Sequence, residues 1–194
     1  MTELIKNSLE EGRRTMEKFV SDPDTEDAIE KTAYLISDAL QKGGKVITCG
    51  NGGSLCDATH FAEELTGRFR NNRRPLPAIS INDSAHITCV ANDYSYNDIF
   101  SNYVDALGNE NDILIGFSTS GNSENVVRAA VKALEKGMKV IGMTRKGSNR
   151  LSELADITIA VNHDGFSDRI QEMHILAVHV IIESVEQILS IYSK

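Results

Sequence analysis

Apolar residues recur at helical spacing in the first part of the chain and in short β-branched runs after residue 44. Ile5, Leu9, Met16 and Phe19 share one face of a 3.6-residue repeat, which predicts a first amphipathic helix. A second helix follows SDPDTED, with Ile29, Ala33, Ile36 and Leu40 on one side. Gly43-Gly44 marks its end, as glycine commonly does at a helix C-terminus. KVITC (45–49), PAISI (77–81), DILIGF (112–117), KVIGM (139–143) and DITIAV (156–161) then read as strands, separated by helical stretches such as 125–136. Short apolar strands alternating with helices predict a parallel sheet covered on both faces. The expected fold class is therefore α/β: a doubly wound, five-stranded parallel sheet flanked by helices, with two N-terminal helices in front and one helix behind. No linker, low-complexity tract or repeat interrupts it, so a single domain is expected over 1–194: helices in 1–43, the α/β core in 44–166 and the last helix in 167–194.

The last helix runs from Asp168 as RIQEMHILAVHVIIESVEQIL and is apolar nearly all round between Met173 and Ile182. A helix apolar on every side is buried on every side. Another subunit is the expected second cover, which makes the chain a homo-oligomer; burial between the sheet and the N-terminal helices is the alternative.

Composition narrows the class. The 194 residues are 41% hydrophobic, enough for a core, and the net charge of -8 argues against a dedicated nucleic-acid binder, which carries a basic footprint. Three cysteines, Cys49, Cys56 and Cys89, have no framework spacing, and Cys56 and Cys89 are expected as small buried hydrophobes. The first residues lack the apolar run of a signal peptide, and no stretch approaches the roughly 20 apolar residues of a membrane span. A soluble cytoplasmic protein with neither membrane nor nucleic-acid partner is the expectation.

Two loops carry the candidate chemistry. CGNGGS (49–54) links a predicted strand to a predicted helix, and its glycines let backbone N–H groups approach an anion at a helix N-terminus. It lacks the third glycine of a dinucleotide fingerprint and the lysine of a Walker loop. STSGNSENV (118–126) is again strand-to-helix and places Ser118, Thr119, Ser120 and Ser123 within six positions. One such residue suffices for an N-cap; four can donate to a phosphate. Both loops lie at the carboxyl ends of strands, where ligands bind in open α/β sheets.

STSGNS after a strand resembles the phosphate loop of the sugar isomerase (SIS) domain. CGNGGSLCDATHFAEELTGRF, ANDYSYNDIFS and DRIQEMHILAVH together resemble the phosphoheptose isomerase family, and the likeness spans essentially the whole chain. It implies an aldose–ketose isomerase that interconverts sedoheptulose 7-phosphate and D-glycero-D-manno-heptose 7-phosphate through an enediol. The product feeds nucleotide-activated heptose for lipopolysaccharide or other surface glycans. It further implies a homotetramer, Glu64 as base, His179 as acid, and one zinc ion per subunit held by His60, Glu64, Gln171 and His179. Asn51, Gly52, Gly53, Ser54, Asn92, Asp93 and Asp168 join Glu64, Gln171 and the four hydroxyl residues as implied substrate contacts, with Arg68 as a further phosphate or sugar partner.

The residues themselves bear on this set. His60 and Glu64 are four apart and share a helix face. Gln171 and His179 are eight apart on one predicted helix, about 12 Å of rise, and point about 80° apart. One ion is not expected to take both from one straight helix, so a site shared between subunits, or a bent helix, is expected. His174, three residues from Gln171, reads as a core histidine or a partner of the site; His86 and His163 carry no motif. TRKGSNRLSEL (144–154) lacks the Gly-Gly pair expected after the fourth strand, and Leu55 stands where a polar residue can occur. Two rival readings remain. A non-catalytic SIS adaptor would lack His60, Glu64 and His179, which are present. A sugar-phosphate sensor or nucleic-acid binder would grip phosphates through Arg68, Arg70, Arg73 and Arg74.

Overall fold

The computed structural model describes residues 1–190. Helices α1 (Thr2–Val20) and α2 (Pro23–Gln41) lead into β1 (Val46–Gly50), α3 (Gly53–Thr66), β2 (Ala78–Ser80) and α4 (Ser84–Asp93). A 3₁₀ turn (Tyr96–Asp98) precedes α5 (Ile99–Leu107), β3 (Ile113–Phe117), α6 (Glu124–Glu135), β4 (Lys139–Arg145), α7 (Arg150–Leu154), β5 (Ile157–Val161) and α8 (Ser167–Leu189). All five expected strands form, and their ends move by only one or two residues.

Every strand pair is parallel, in the order β2-β1-β3-β4-β5. This is the flavodoxin-like order, with its switch point between β1 and β3. β3 shows why a near-continuous apolar run sits there. Ile113, Ile115 and Phe117 enter a core formed with α2, α3 and α8, while Leu114 enters the opposite core with α5 and α6. Alternate side chains of a strand point to opposite faces, so a strand covered on both faces must be apolar at every position.

α2 begins where its sequence prescribes. Asp22 accepts from the Asp24 backbone N–H at 3.1 Å, and Pro23 supplies a fixed φ where no intrahelical donor is needed. α3 and α8 lie on the same sheet face. Ala58, Phe61 and Leu65 of one, and Ala177, Val178 and Ile181 of the other, are fully buried. Burying a large aliphatic or aromatic side chain contributes roughly 1.5–3 kcal/mol, which holds both helices to the sheet.

Three expectations need adjustment. The predicted first helix forms, but in the single chain only Phe19 of its apolar face is covered; Ile5, Leu9 and Met16 are exposed. Conversely, much of α8 is buried inside this chain, with Met173, Ala177, Ile181 and Ile182 packed in the core, while Val180 stays exposed. The alternative expectation thus accounts for most of the all-round apolar pattern. Cys56 and Cys89 are exposed, and only Cys49 is buried. Cys56 falls on the side of α3 opposite Ala58, which no layer covers among the described residues. Among the described residues, no helix is long and apolar enough to cross a membrane.

The strand-to-helix turn after β1 is tight. A Cβ on Gly50 would lie 2.6 Å from the Ser54 carbonyl oxygen and 2.8 Å from its carbon. Both are backbone atoms and cannot rotate away. Gly50→Ala is expected to cost about 1–3 kcal/mol, the usual range for overpacking. It should read as a lower urea midpoint with an unchanged slope; an unaltered midpoint would show that the turn relaxes freely.

Candidate active site

The switch point sets the loops after β1 and β3 side by side. α3 starts on Gly52 at φ +55, with no side-chain cap, and a Cβ on Gly53 would lie within 2.6 to 2.8 Å of the Gln171 amide. Only glycine lets Gln171 come so near the helix N-terminus. Asn51 and Asn125 exchange two amide hydrogen bonds, both 2.9 Å, and the Tyr96 hydroxyl donates to Asn51 Oδ1 at 2.9 Å. The side chain of Asn51, an expected substrate contact, therefore ties the two loops together. Ser54 is buried in the first turn of α3.

The second loop is built as a cradle. Ser118 is buried, and its hydroxyl lies 2.9 Å from that of Ser123 and 3.5 Å from that of Ser120. Ser123 occupies the N-cap position of α6 yet makes no side-chain cap hydrogen bond. Its hydroxyl turns into the loop instead, so simple capping does not explain this serine. Ser120 Oγ accepts from the Asn122 N–H at 3.1 Å, and Gly121 takes the left-handed φ of +67 that closes the turn. Hydroxyls gathered at a helix N-terminus make a seat for an anion.

Further along the α3–α8 seam lie the titratable groups. His60 Nε2 is 3.1 Å from His179 Nε2 and 3.3 Å from Glu64 Oε1. One ligand atom from each of the three falls within 4.8 Å of the others, so the group can hold a metal ion. Tetrahedral ligands about 2.0–2.1 Å from zinc stand roughly 3.3 Å apart, close to the two shorter separations. Two imidazoles and a carboxylate are also a donor set that zinc accepts. Phe69 stacks on His179 with centroids 5.8 Å apart, and the His60 ring meets His179 edge-on at 5.2 Å.

The arginine run has structural duties. Arg73 is buried, ion-paired with Glu186, and donates to the carbonyls of Glu64, Leu65, Gly67 and Arg74. Arg70 pairs with Glu183. Arg68 and Arg74 are exposed. With Arg70 and Arg73 spent on α8, the run offers no four-arginine grip on nucleic acid.

Gln171, expected among the metal ligands, sits instead beside Gly53, about 10 Å up α3 from His60 at 1.5 Å per residue. α8 is helical from end to end between it and His179. Asp168 is exposed in the first turn of α8, one turn before Gln171. Asn92 and Asp93 are exposed at the end of α4, where Asn92 donates to Asp93 at 2.7 Å. His174 is a core histidine, its pKa pushed down to about 4 by burial, with Nε2 only 3.4 Å from the Thr144 carbonyl. His86 has a structural role: its Nε2–H donates to the Ile99 carbonyl oxygen at 2.8 Å. Sequence reasoning missed Asn125, Tyr96, Phe69 and Asp57, and offered Arg73 only as a phosphate grip, not as the buried tie to α8. Only proximity in space, or for Asp57 its place on the Gly53–His60–Glu64 stripe, marks them.

Asp57 is buried, its Oδ2 has no hydrogen-bond partner, and its carboxyl is pushed up to about 6 by burial, opposed in part by His60. The folded-state pKa lies above the ordinary 3.8. Between those values the folded protein keeps a proton that the unfolded chain has lost, so stability falls as pH rises through that window. In metal-free protein, Asp57→Asn should gain little melting temperature over wild type at pH 4 and roughly several degrees at pH 7. A pH-independent difference between the two melting curves would rule burial out as the cause.

Similarity to known proteins identifies the family and the fold. The SIS domain family model matches residues 9–145. The phosphoheptose isomerase of Escherichia fergusonii is 53% identical over 185 residues, covering 95% of this chain and 96% of that protein. The solved phosphoheptose isomerase of Francisella tularensis superposes with a TM-score of 0.91 at 37% identity, covering 96% of this chain and 98% of that one. That of Neisseria gonorrhoeae gives 0.88 at 34% identity, with the same coverages of 96% and 98%. A fold of order β2-β1-β3-β4-β5, a serine-lined anion loop and full-length identity of this degree place the chain in the phosphoheptose isomerase family of SIS-domain proteins.

Proposed function

We propose that this isomerase converts D-sedoheptulose 7-phosphate to D-glycero-D-manno-heptose 7-phosphate, in the cytoplasm, for the nucleotide-activated heptose of lipopolysaccharide or related glycans. The observation that carries the reading is the His60–Glu64–His179 cluster, set about two helical turns from two neighbouring anion loops. The Ser118–Ser123 loop takes the phosphate through its hydroxyls and the N-terminus of α6. This leaves the carbonyl end of the sugar to reach the seam between α3 and α8.

Glu64 removes the C1 proton of the ketose while His179 donates a proton to the C2 oxygen, giving the enediol. Glu64 then returns its proton to C2, and His179 takes the O1 proton, leaving the aldose. His60 Nε2 lies 3.1 Å from His179 Nε2 and 3.3 Å from Glu64 Oε1, and Phe69 stacks on His179, so contacts on both acid–base groups orient them before substrate arrives. His60, Glu64 and His179 would hold a zinc ion, and that ion would supply Lewis-acid polarisation of the substrate oxygens. Ligand and base duties compete for Glu64.

Gln171 completes the ligand set from a second subunit of a homotetramer, in this reading. The exposed apolar residues of α1 and Val180 of α8 support association. A non-catalytic adaptor finds no support, since the acid–base cluster is intact. One domain spans the chain in this proposal, the sheet and its helices enclosing both sites.

The test is turnover of sedoheptulose 7-phosphate by metal-stripped protein, with and without zinc. Zinc-restored isomerisation is expected; full activity without metal would remove zinc from the proposal. Glu64→Gln should lower kcat by roughly 10²–10⁴-fold, the usual contribution of a general base, and near-normal turnover would refute its role. Ser120→Ala should raise KM by about 5- to 10-fold at constant kcat, because its hydrogen bond is made throughout the reaction. A pure fall in kcat would contradict that assignment.

A further inference from the structure

Arg145 is the last residue of β4 and leads into the turn before α7. β4 is the neighbour of β3, with Met143 opposite Phe117, so Arg145 leaves the sheet beside the serine loop. The segment it begins is stitched to that loop. The Leu151 N–H donates to the Gly121 carbonyl at 2.9 Å, and the Arg150 N–H to Asn122 Oδ1 at 3.2 Å. A Cβ on Gly121 would collide with Asn149 Oδ1 at 1.9 Å. Arg145 itself donates from Nε to the Thr119 carbonyl oxygen at 3.2 Å and is half-buried.

Its charge is unspent. Among the described residues, Arg145 has no carboxylate within 4.0 Å, and its two terminal nitrogens have no hydrogen-bond partner. Arg13, Arg70, Arg73, Arg128, Arg150 and Arg169 are all ion-paired. The next residue, Lys146, is taken by Asp22 at 2.6 Å. A guanidinium held by Nε against a loop, with both Nη groups free, presents donors in the fork geometry that suits phosphate oxygens.

The anion loop needs such a group. Its hydroxyls are neutral, and a helix N-terminus supplies only about half a positive charge. A phosphate monoester carries nearly two negative charges, and it must enter a chain of net charge -8 whose seam holds Asp57 and Glu64. We infer that Arg145 is a substrate-binding residue that supplies the positive charge of the phosphate seat, its Nη groups donating to the phosphate oxygens while Nε stays on Thr119. This rests on the reading that the serine loop holds the phosphate. Arg145 touches no reacting atom and contributes equally to ground state and transition state.

The experiment compares wild type with Arg145→Gln and Arg145→Met, the second keeping an apolar stem so that packing and charge are separated. KM and kcat are measured for sedoheptulose 7-phosphate, and the dissociation constant of inorganic phosphate by calorimetry. Both variants should fold. KM and the phosphate constant should rise together by about 10- to 100-fold, with kcat within about twofold of wild type. An unchanged phosphate constant, or a fall in kcat at constant KM, overturns the inference while wild-type turnover leaves the isomerase reading intact. Should wild type fail to turn over, that reading falls, and phosphate binding alone decides on Arg145: weaker in the variants supports it, equal or absent in all three overturns it. Loss of folding in both variants would make Arg145 a structural residue and overturn the inference as well.

Discussion

The whole arrangement depends on how α3 lies against α8. The two helices run side by side in the same direction on one sheet face, with Gly53 level with Gln171 and His60 level with His179. The missing Cβ at Gly53 permits the close approach at one end. Arg73 sets it at the other, where one buried guanidinium joins the last carbonyls of α3 to Glu186 of α8. Replacing such a pair with apolar residues can be neutral, whereas breaking it leaves a buried charge without a partner. Its value here is geometric: five donors in a rigid fork fix the separation of two helices, and the separation fixes the distance between two imidazoles.

That seam divides the site into two chemical ends. The glycine and serine loops at the switch point have backbone and hydroxyl donors, and they suit an anion. Two turns further on, His60, Glu64 and His179 face one another and suit proton transfer. The Asn51–Asn125 amide pair keeps the two loops in register, so the anion end is fixed relative to α3. In the proposed reaction, a phosphosugar held at one end would have its far carbons carried to the other by the length of its own chain. Binding and chemistry would then fall to different residues on rigid elements, which orient reacting groups before substrate arrives.

The sheet was legible because its signals are local. Each strand is a short apolar run, the central β1 and β3 are buried along their whole length, and each strand is followed by a helix. The loops were legible for the same reason, since the four hydroxyls lie within six residues. Exposure was read less well. Cys56 looks apolar in sequence, but its side of α3 has no neighbouring layer. The apolar face of α1 predicts a covered helix, yet among the described residues only Phe19 of that face is covered, and Ile5, Leu9 and Met16 stay exposed. Conversely, α8 finds most of its cover within its own chain.

The α/β class, the strands, the two strand-to-helix loops rich in glycine and hydroxyl residues, and the i, i+4 relation of His60 and Glu64 are written locally in the sequence. These follow from periodicity and from short-range spacing. The packing of α3 on α8 brings His179 to His60 and leaves Gln171 about two turns away. The same packing makes Asn51 lock the loops, has Arg70 and Arg73 grip α8, and leaves Arg145 beside the serine loop with no carboxylate partner among the described residues. Each of these is a relation between residues far apart in the chain. Such relations depend on which helices share a sheet face and at what register, and no local pattern of residue types encodes that.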